Sequence, residues 1–336
     1  MMHHRKQSGL MAWTSALILA STFAQVAQTH AQQSTWKPDK PVELVIGATS
    51  GGSQDRTGRM MQTILQDLKL VPTLVNIVNK PGGSGAAALS YLAQRPGDAH
   101  SLAITSISIL TNPIVGRSTM QPTEFTPIAV MGSEYIGIFV RTDSPLKTGK
   151  DMVELLRKQP TALSVAVGLG PATTLHIAYA LAMKTAGVDI KKLKTVGFSS
   201  GGQATAAVLG GHIDATVATP SNMLAHMNEG RIRMIVVGAP ARLTGELSHV
   251  PTWTELGLRG TYELWRGIAG PKGMTRPQLQ YWDDTLTKVV KSKLWLQDIE
   301  SSHMVNSYRN SAETATYWKQ EYEEAKAILT ELGFAK

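Results

Sequence analysis

The residues best suited to chemistry sit in short glycine-bearing segments. Ser50-Gly51-Gly52-Ser53-Gln54-Asp55 follows the apolar run Val42, Leu44, Val45 and Ile46 and precedes a helical pattern of Met60, Met61, Ile64, Leu65 and Leu68. Glycine lets the backbone turn sharply and lets a ligand reach its N–H groups. The first N–H groups of a helix lack internal partners and stand at the positive end of its dipole. Such a loop can hold an anion without a charged side chain. Ser53 also suits an N-cap and Asp55 a first turn, and capping is compatible with ligand contact. Gly168-Leu169-Gly170-Pro171-Ala172-Thr173-Thr174-Leu175-His176 repeats the device. There Thr173 or Thr174 can cap the helix or face a ligand, and His176 suits packing better than catalysis. Thr105, Ser106 and Ser108 end another apolar run and add hydroxyl donors. No Lys-Ser/Thr follows the glycines and G-x-G-x-x-G is missing, so a nucleotide is not expected.

A third segment offers different chemistry. Gly197-Phe198-Ser199-Ser200-Gly201 matches the nucleophile elbow G-x-S-x-G between a strand and a helix. Asp214 and then His226 or His249 follow in the order of a hydrolase. A secreted serine esterase is therefore the enzyme alternative. Short Gly/Ser patterns also arise by chance in glycine-rich α/β chains.

These segments need elements to position them. Strands are expected at Leu74–Val78, Leu102–Thr105, Leu163–Val167, Leu193–Val196, Ile213–Val217 and Arg231–Val237. Helices are expected at Ala86–Ala93, Lys150–Lys158, Thr174–Thr185, Gln203–Leu209, Arg276–Lys291, Trp295–Ser301 and Ala312–Leu332. This alternation predicts an α/β fold with parallel sheets and helices on both faces. Two β-prone stretches, Thr126–Arg141 and Thr261–Ala269, are long enough to cross between lobes. Two crossings place residues 32–135 and 261–336 in one lobe and 136–260 in the other. Open α/β sheets bind ligands at the carboxyl ends of their strands, where all these loops fall.

Length and composition agree with two lobes. The chain has 336 residues, 43% hydrophobic and 17% charged, the balance of an ordinary globular protein. Its net charge is +8, two of the bases being Arg5 and Lys6 near the start. The bases are scattered without interleaved aromatics, so nucleic acid is not an expected partner. With no cysteine there are no disulfides, thiolate catalysis or Cys-ligated metals. The nine histidines form no H-x-x-x-H pair backed by carboxylates, and neither a metal nor a cofactor is expected. His3, His4, Arg5 and Lys6, an apolar run from Leu10 to Phe23, and Thr29-His30-Ala31 follow the pattern of a secretory signal. Cleavage is expected after Ala31, with Ala27 as the alternative. The apolar run is shorter than the ~20 residues a membrane span needs.

Taken in order, the motifs resemble the Bug-type extracytoplasmic solute receptors of the tripartite tricarboxylate transporter family. Val42-Glu43-Leu44-Val45-Ile46 with Gly51-Gly52-Ser53-Gln54-Asp55 is similar to their opening strand, loop and helix. Asn79-Lys80-Pro81-Gly82-Gly83-Ser84-Gly85 resembles a second loop of the family. Gly168-Leu169-Gly170 with His176 resembles their second glycine-rich helix start. Leu209-Gly210-Gly211-His212-Ile213-Asp214 resembles a turn into a strand. Pro251-Thr252 with Glu255 and Gly257 also fits, as does Trp265-x-Gly267 before Pro271. The resemblance implies a type II periplasmic-binding-protein fold, two α/β lobes joined by two crossover strands and closing like a trap. It implies a carboxylate held by backbone amides, small hydroxyls and water, and delivery to a large and a small integral membrane subunit. One departure stands out: Gly197-Phe198-Ser199-Ser200 occupies a place where the family often has Pro-Tyr-Lys-Gly, which points to a more apolar or aromatic acid. Arg266 beside Trp265 is either a pocket cation or a lobe-interface residue. The candidate ligand-binding residues are Ser50, Gly51, Gly52, Ser53, Asp55, Thr105, Ser106, Gly170, Thr173, Thr174, His176, Ser199, Ser200 and Asp214. A periplasmic sensor kinase is the alternative partner to the transporter.

Overall fold

A computed structural model of the chain describes residues 36–50, 53–168, 170–302 and 304–336. The expected leader, its cleavage sites, Gly51 and Gly52 lie outside the described residues. After an extended lead-in, the chain runs β1 (Val42–Ile46), α1 (Ser53–Asp67), β2 (Val75–Asn79), α2 (Ala86–Ala93), β3 (Ser101–Thr105) and α3 (Ser108–Ile114). Next come β4 (Phe125–Tyr135) and β5 (Gly137–Arg141), then α4 (Gly149–Lys158), β6 (Ser164–Val167) and α5 (Thr174–Thr185). The strands β7 (Lys194–Gly197), β8 (Ala215–Ala218) and β9 (Ile232–Val237) alternate with α6 (Gly201–Leu209) and α7 (Pro220–Asn228). The chain ends with β10 (Glu263–Pro271), α8 (Arg276–Lys291), α9 (Lys293–Ser301) and α10 (Ser311–Glu331).

The strands form two five-stranded sheets, ordered β2-β1-β3-β10-β4 and β7-β6-β8-β5-β9. Both are mixed rather than purely parallel as expected. β10 runs antiparallel to β3 and β4, and β5 runs antiparallel to β8 and β9. The reason lies in the crossings: a strand that leaves one sheet and starts the other enters it against the parallel strands. The β-prone stretch Thr126–Arg141 is accordingly two strands. Tyr135 pairs with Glu263 in the first sheet, and Gly137 pairs with Ala218 and Val237 in the second. Only Ile136 separates them, and its carbonyl accepts the Gly238 N–H at 2.8 Å.

Two helices escape the sequence reading. α3 is only seven residues long, mixes Ser108, Thr111 and Asn112 with apolar residues and contains Pro113, so it carries no periodic signal. α7 opens on Pro220, which suits a first helical turn, but its short span alternates small, polar and apolar residues. Elsewhere local signals mark the ends well. Thr148 and Asp151 form a reciprocal capping box on α4, and Asn310 and Glu313 form one on α10.

One apolar core runs through both sheets. Val45 and Val130 of the first sheet belong to the same buried cluster as Ile138 and Val217 of the second. Trp265 on β10 packs against α10, stacking on Trp318 with centroids 6.0 Å apart and meeting Tyr317 edge-on. α10 also touches α5, so this helix spans the junction.

Candidate ligand site between the sheets

The registers decide which loops face each other. Gly137 sits opposite the last residues of β8 and β9, and Val167, ending β6, lies beside Val217. The carboxyl ends of the second sheet's parallel strands therefore point at the Ile136 crossing. β4 reaches the same crossing with its own carboxyl end, parallel to β1, β2 and β3. The helices α1, α3, α5, α6 and α7 each begin just after such a strand end. Their free N–H groups and positive dipole ends favour an anion there.

On the first sheet's side the loop after β1 is braced by a buried carboxylate. Asp55 is 1% exposed. It accepts hydrogen bonds from Arg59 Nε at 2.8 Å and from Asn79 Nδ2 at 2.9 Å. Asn79 also donates to the Ala48 carbonyl at 3.0 Å. The Arg59 guanidinium reaches Ser50 Oγ at 3.3 Å. Asp55 is thus a positioning residue that fixes the loop, and a buried negative charge is poorly suited to contact a carboxylate. Gln54 Nε2 donates to Ser106 Oγ, which lies 3.3 Å from Ser108 Oγ. Thr105 turns its hydroxyl to the Ser106 carbonyl. The second loop packs close: a Cβ on Gly47 would lie 2.7 Å from Gly85 Cα, so glycine is required for the two loops to touch. Asn112 holds that second loop through the carbonyls of Gly83 and Ser84.

On the second sheet's side the loop after β6 has no charged residue of its own, but the Arg117 guanidinium from the first sheet's side donates to the Pro171 carbonyl at 3.3 Å. Gly170 has φ +82° in the loop after β6. Ala172 N–H donates to His176 Nδ1 at 3.1 Å, which places the ring proton on Nε2. Burial pushes His176 down to about 4, so its imidazole is neutral at pH 7 and supplies no positive charge. Its ring meets Phe334 edge-on, confirming the packing role. Thr173 occupies the N-cap position of α5, yet its hydroxyl bonds the Gly170 carbonyl instead of a helix N–H. Thr174 is half-buried at the first helical position. Ser200 caps α6 by accepting from Gln203 N–H, and Gln203 Oε1 accepts from Ser199 N–H. Both serines are exposed.

Asp214 is not part of this site. Its carboxylate accepts from Ser164 N–H at 2.7 Å and from Ser164 Oγ at 2.6 Å. Both residues stand at the amino ends of their strands, a full strand length from Ser199. The same placement separates Asp214 from the elbow serine, and His226 lies at the C-terminal end of α7, bonded to Arg231. Asp214 and His226 therefore form no triad with Ser199.

Arg266 is an interface residue. Its guanidinium lies 3.6 Å from Glu134, both side chains being buried. Burial lowers the Arg266 pKa, Glu134 opposes that, and Arg56 adds to it. Glu134 also accepts a hydrogen bond from Ser221 at the start of α7. This chain of contacts joins both long strands of the first sheet to a helix of the second. Sequence reasoning missed Asn79, Gln54, Glu134 and Ser221 as site-forming residues. Asn79 and Gln54 stand in motifs that were recognised; Glu134 and Ser221 carry no local signal. Among the described residues no group of three or more His, Asp or Glu could hold a metal ion. A cavity of about 280 Å³ lies elsewhere, lined by residues such as Lys150, Arg157 and Glu255, whose mixed charges make no anion site.

A mixed two-sheet α/β chain with facing strand ends is the architecture of a two-lobed solute-binding protein. Residues 60–334 match the family model described as the tripartite tricarboxylate transporter family receptor, TctC, and the chain belongs to that family. It is 28% identical over 336 residues to a UPF0065 protein of Cupriavidus necator, covering 99% of this chain and 98% of that one. It is 23% identical over 251 residues to protein BugT of Bordetella pertussis, covering 72% of this chain and 73% of BugT. Among solved structures, a TctC solute binding protein from Polaromonas superposes with a TM-score of 0.77 at 24% identity, covering 88% of this chain and 99% of that one. An R. palustris protein solved with adipate gives 0.71 at 23% identity, covering 89% and 99%. The Bug-type resemblance and the two-lobed fold expected from the sequence are thereby borne out.

Proposed function

We propose that this chain is a periplasmic receptor that captures a small carboxylate between two lobes, 32–135 with 261–336 and 136–260, and delivers it to a tripartite transporter. The single observation that carries this reading is that the strand ends before α1 and before α5 both lie toward the Ile136 crossing, so the two helix starts are turned to the same place. Backbone amides of both lobes would bind one ligand. Each lobe then binds better when the cleft is closed, so ligand shifts an open–closed equilibrium by its differential affinity for the closed state. The loop after β7, with Phe198 in it and no charged residue, suits an acid with an apolar body more than a tricarboxylate. Adipate, bound by the R. palustris relative, has that character. No catalysis belongs to this reading: Ser199→Ala has no hydrolysis to abolish.

The test is a thermal-shift panel of the chain lacking residues 1–31, with mono-, di-, tri- and aromatic carboxylates and their amides. A ligand at about 1,000 times its Kd adds about 4 kcal/mol. At about 2–4 °C per kcal/mol the melting point rises by about 10 °C. A shift for one acid and not its amide supports the receptor. A flat panel together with ester turnover overturns it.

A further inference from the structure

Several buried polar atoms at the junction of the sheets have no hydrogen-bond partner among the described residues. They are Tyr179 Oη, Tyr262 Oη, Trp265 Nε1, Tyr317 Oη, Trp318 Nε1 and Glu321 Oε2. They fall into two groups that together make a seam: Tyr179 with Tyr262 at one small cavity, and Tyr317, Trp318 and Glu321 of α10 with Trp265. Tyr179 and Tyr262, each 2% exposed, line one small cavity together with Ile136 and Gly260 from the two crossing segments. That cavity leaves about 10 Å³ for the centre of a water-sized sphere, enough for a water molecule. Tyr262 lies within electrostatic reach of Tyr317 and Glu321. Tyr317 and Glu321 sit one turn apart on α10 without reaching good hydrogen-bond geometry, and Tyr317 and Trp318 pack on Trp265. Polar atoms left dry in a core are costly, and ordered water is the usual remedy where a polar space exists.

We propose that the junction is an internal water site, in which bound water completes the hydrogen bonds of Tyr179, Tyr262 and the Tyr317–Glu321 pair and joins the two crossing segments in place of direct side-chain contacts. The seam is built for a neutral Glu321. Burial first, then Glu324 and Glu263, push its carboxyl up to about 8, with Tyr317 and Arg309 opposing. The groups facing it are Tyr317 and Glu324 on α10, Tyr262 and Glu263 at the start of β10, and Arg309 before α10. Arg309 is already bound through both nitrogens to Glu263, each at 3.1 Å. A protonated Glu321 can donate as well as accept, which a water bridge to tyrosyl hydroxyls can use.

The folded chain holds this proton where the unfolded chain has lost it. The contribution of Glu321 to stability is therefore fully present below the ordinary carboxylate range and is lost as pH rises from there through about 8. The test uses thermal melts of the leaderless chain without ligand, so its outcome is independent of the receptor reading. If water bonds the seam, Tyr262→Phe lowers Tm by about 2–4 °C at neutral pH by stranding that water. Glu321→Gln abolishes the decline that runs from the ordinary carboxylate range up to about pH 8, while the parent chain keeps it. A Tyr262→Phe chain that melts at the same temperature or higher shows a dry seam and overturns the proposal. Should the variants fail to fold, a high-resolution crystal structure of the unaltered chain decides: ordered water on Tyr262 Oη sustains it, and an empty cavity overturns it.

Discussion

At the carboxyl end of β1 the glycine loop is held by charge. Asp55, buried, draws in Arg59 and Asn79, and Asn79 reaches on to the Ala48 carbonyl. At the carboxyl end of β6 the loop is held mostly by shape and neutral groups, with the Arg117 guanidinium donating to the Pro171 carbonyl. Gly168 lies against Gly201, Thr173 bonds Gly170, and a neutral His176 takes the Ala172 amide. The side chains that brace the start of α1 bond one another, whereas the loop after β7 leaves Ser199 and Ser200 exposed with open space beside Gly201.

Breaking the charged brace should have the largest effect. Asp55→Ala strands Asn79 and leaves Arg59 unpaired, and should cost about 2–4 kcal/mol in denaturant unfolding. Asp55→Asn should recover part of this, since it can still accept from Arg59.

On the neutral side, acid should act through His176. Its folded pKa of about 4 lies below the ordinary value of 6.5. The unfolded chain thus binds the extra proton first, and stability is lost as pH falls from 6.5 through about 4. The loss should reach about 2–3 kcal/mol, and His176→Leu should remove that acid-sensitive part of the stability–pH curve.

Smaller effects separate the two glycines of the second loop pair. A Cβ at Gly168 would lie 2.8 Å from Gly201 Cα, so Gly168→Ala should cost about 1–3 kcal/mol and weaken ligand binding. A Cβ at Gly201 meets nothing within 4 Å, and Gly201→Ala should stabilise by about 0.4–1 kcal/mol with binding kept. Equal losses at both positions would erase the distinction between tight and open sides. The caps give a further contrast. Ser200→Ala removes a helix-capping bond and should cost about 1 kcal/mol, more than Thr173→Ala, whose hydroxyl caps nothing.

Much of this arrangement was legible before any coordinates. Thr174–Thr185, Arg276–Lys291 and Ala86–Ala93 begin and end where their periodicity and flanking residues place them. The helix starts at Ser53 and Thr174 also stand where expected, because cap and helix start are set by residues within one or two turns. Asp214 shows the opposite case. Its motif was visible, but its bond to Ser164 depends on which strand lies beside β8.

Local order is what the amino-acid sequence determined by itself: alternating strands and helices, glycines at the strand ends, two long β-prone stretches, and the family these features resemble. Tertiary structure alone decided that Ile136 divides one stretch between two sheets, that β5 and β10 run against their neighbours, and that Arg266 is spent on Glu134. The physical reason is range. A cap or a turn is fixed by neighbours in sequence, whereas strand order, register and the pairing of buried charges are fixed by partners far along the chain, which become neighbours only when the core closes.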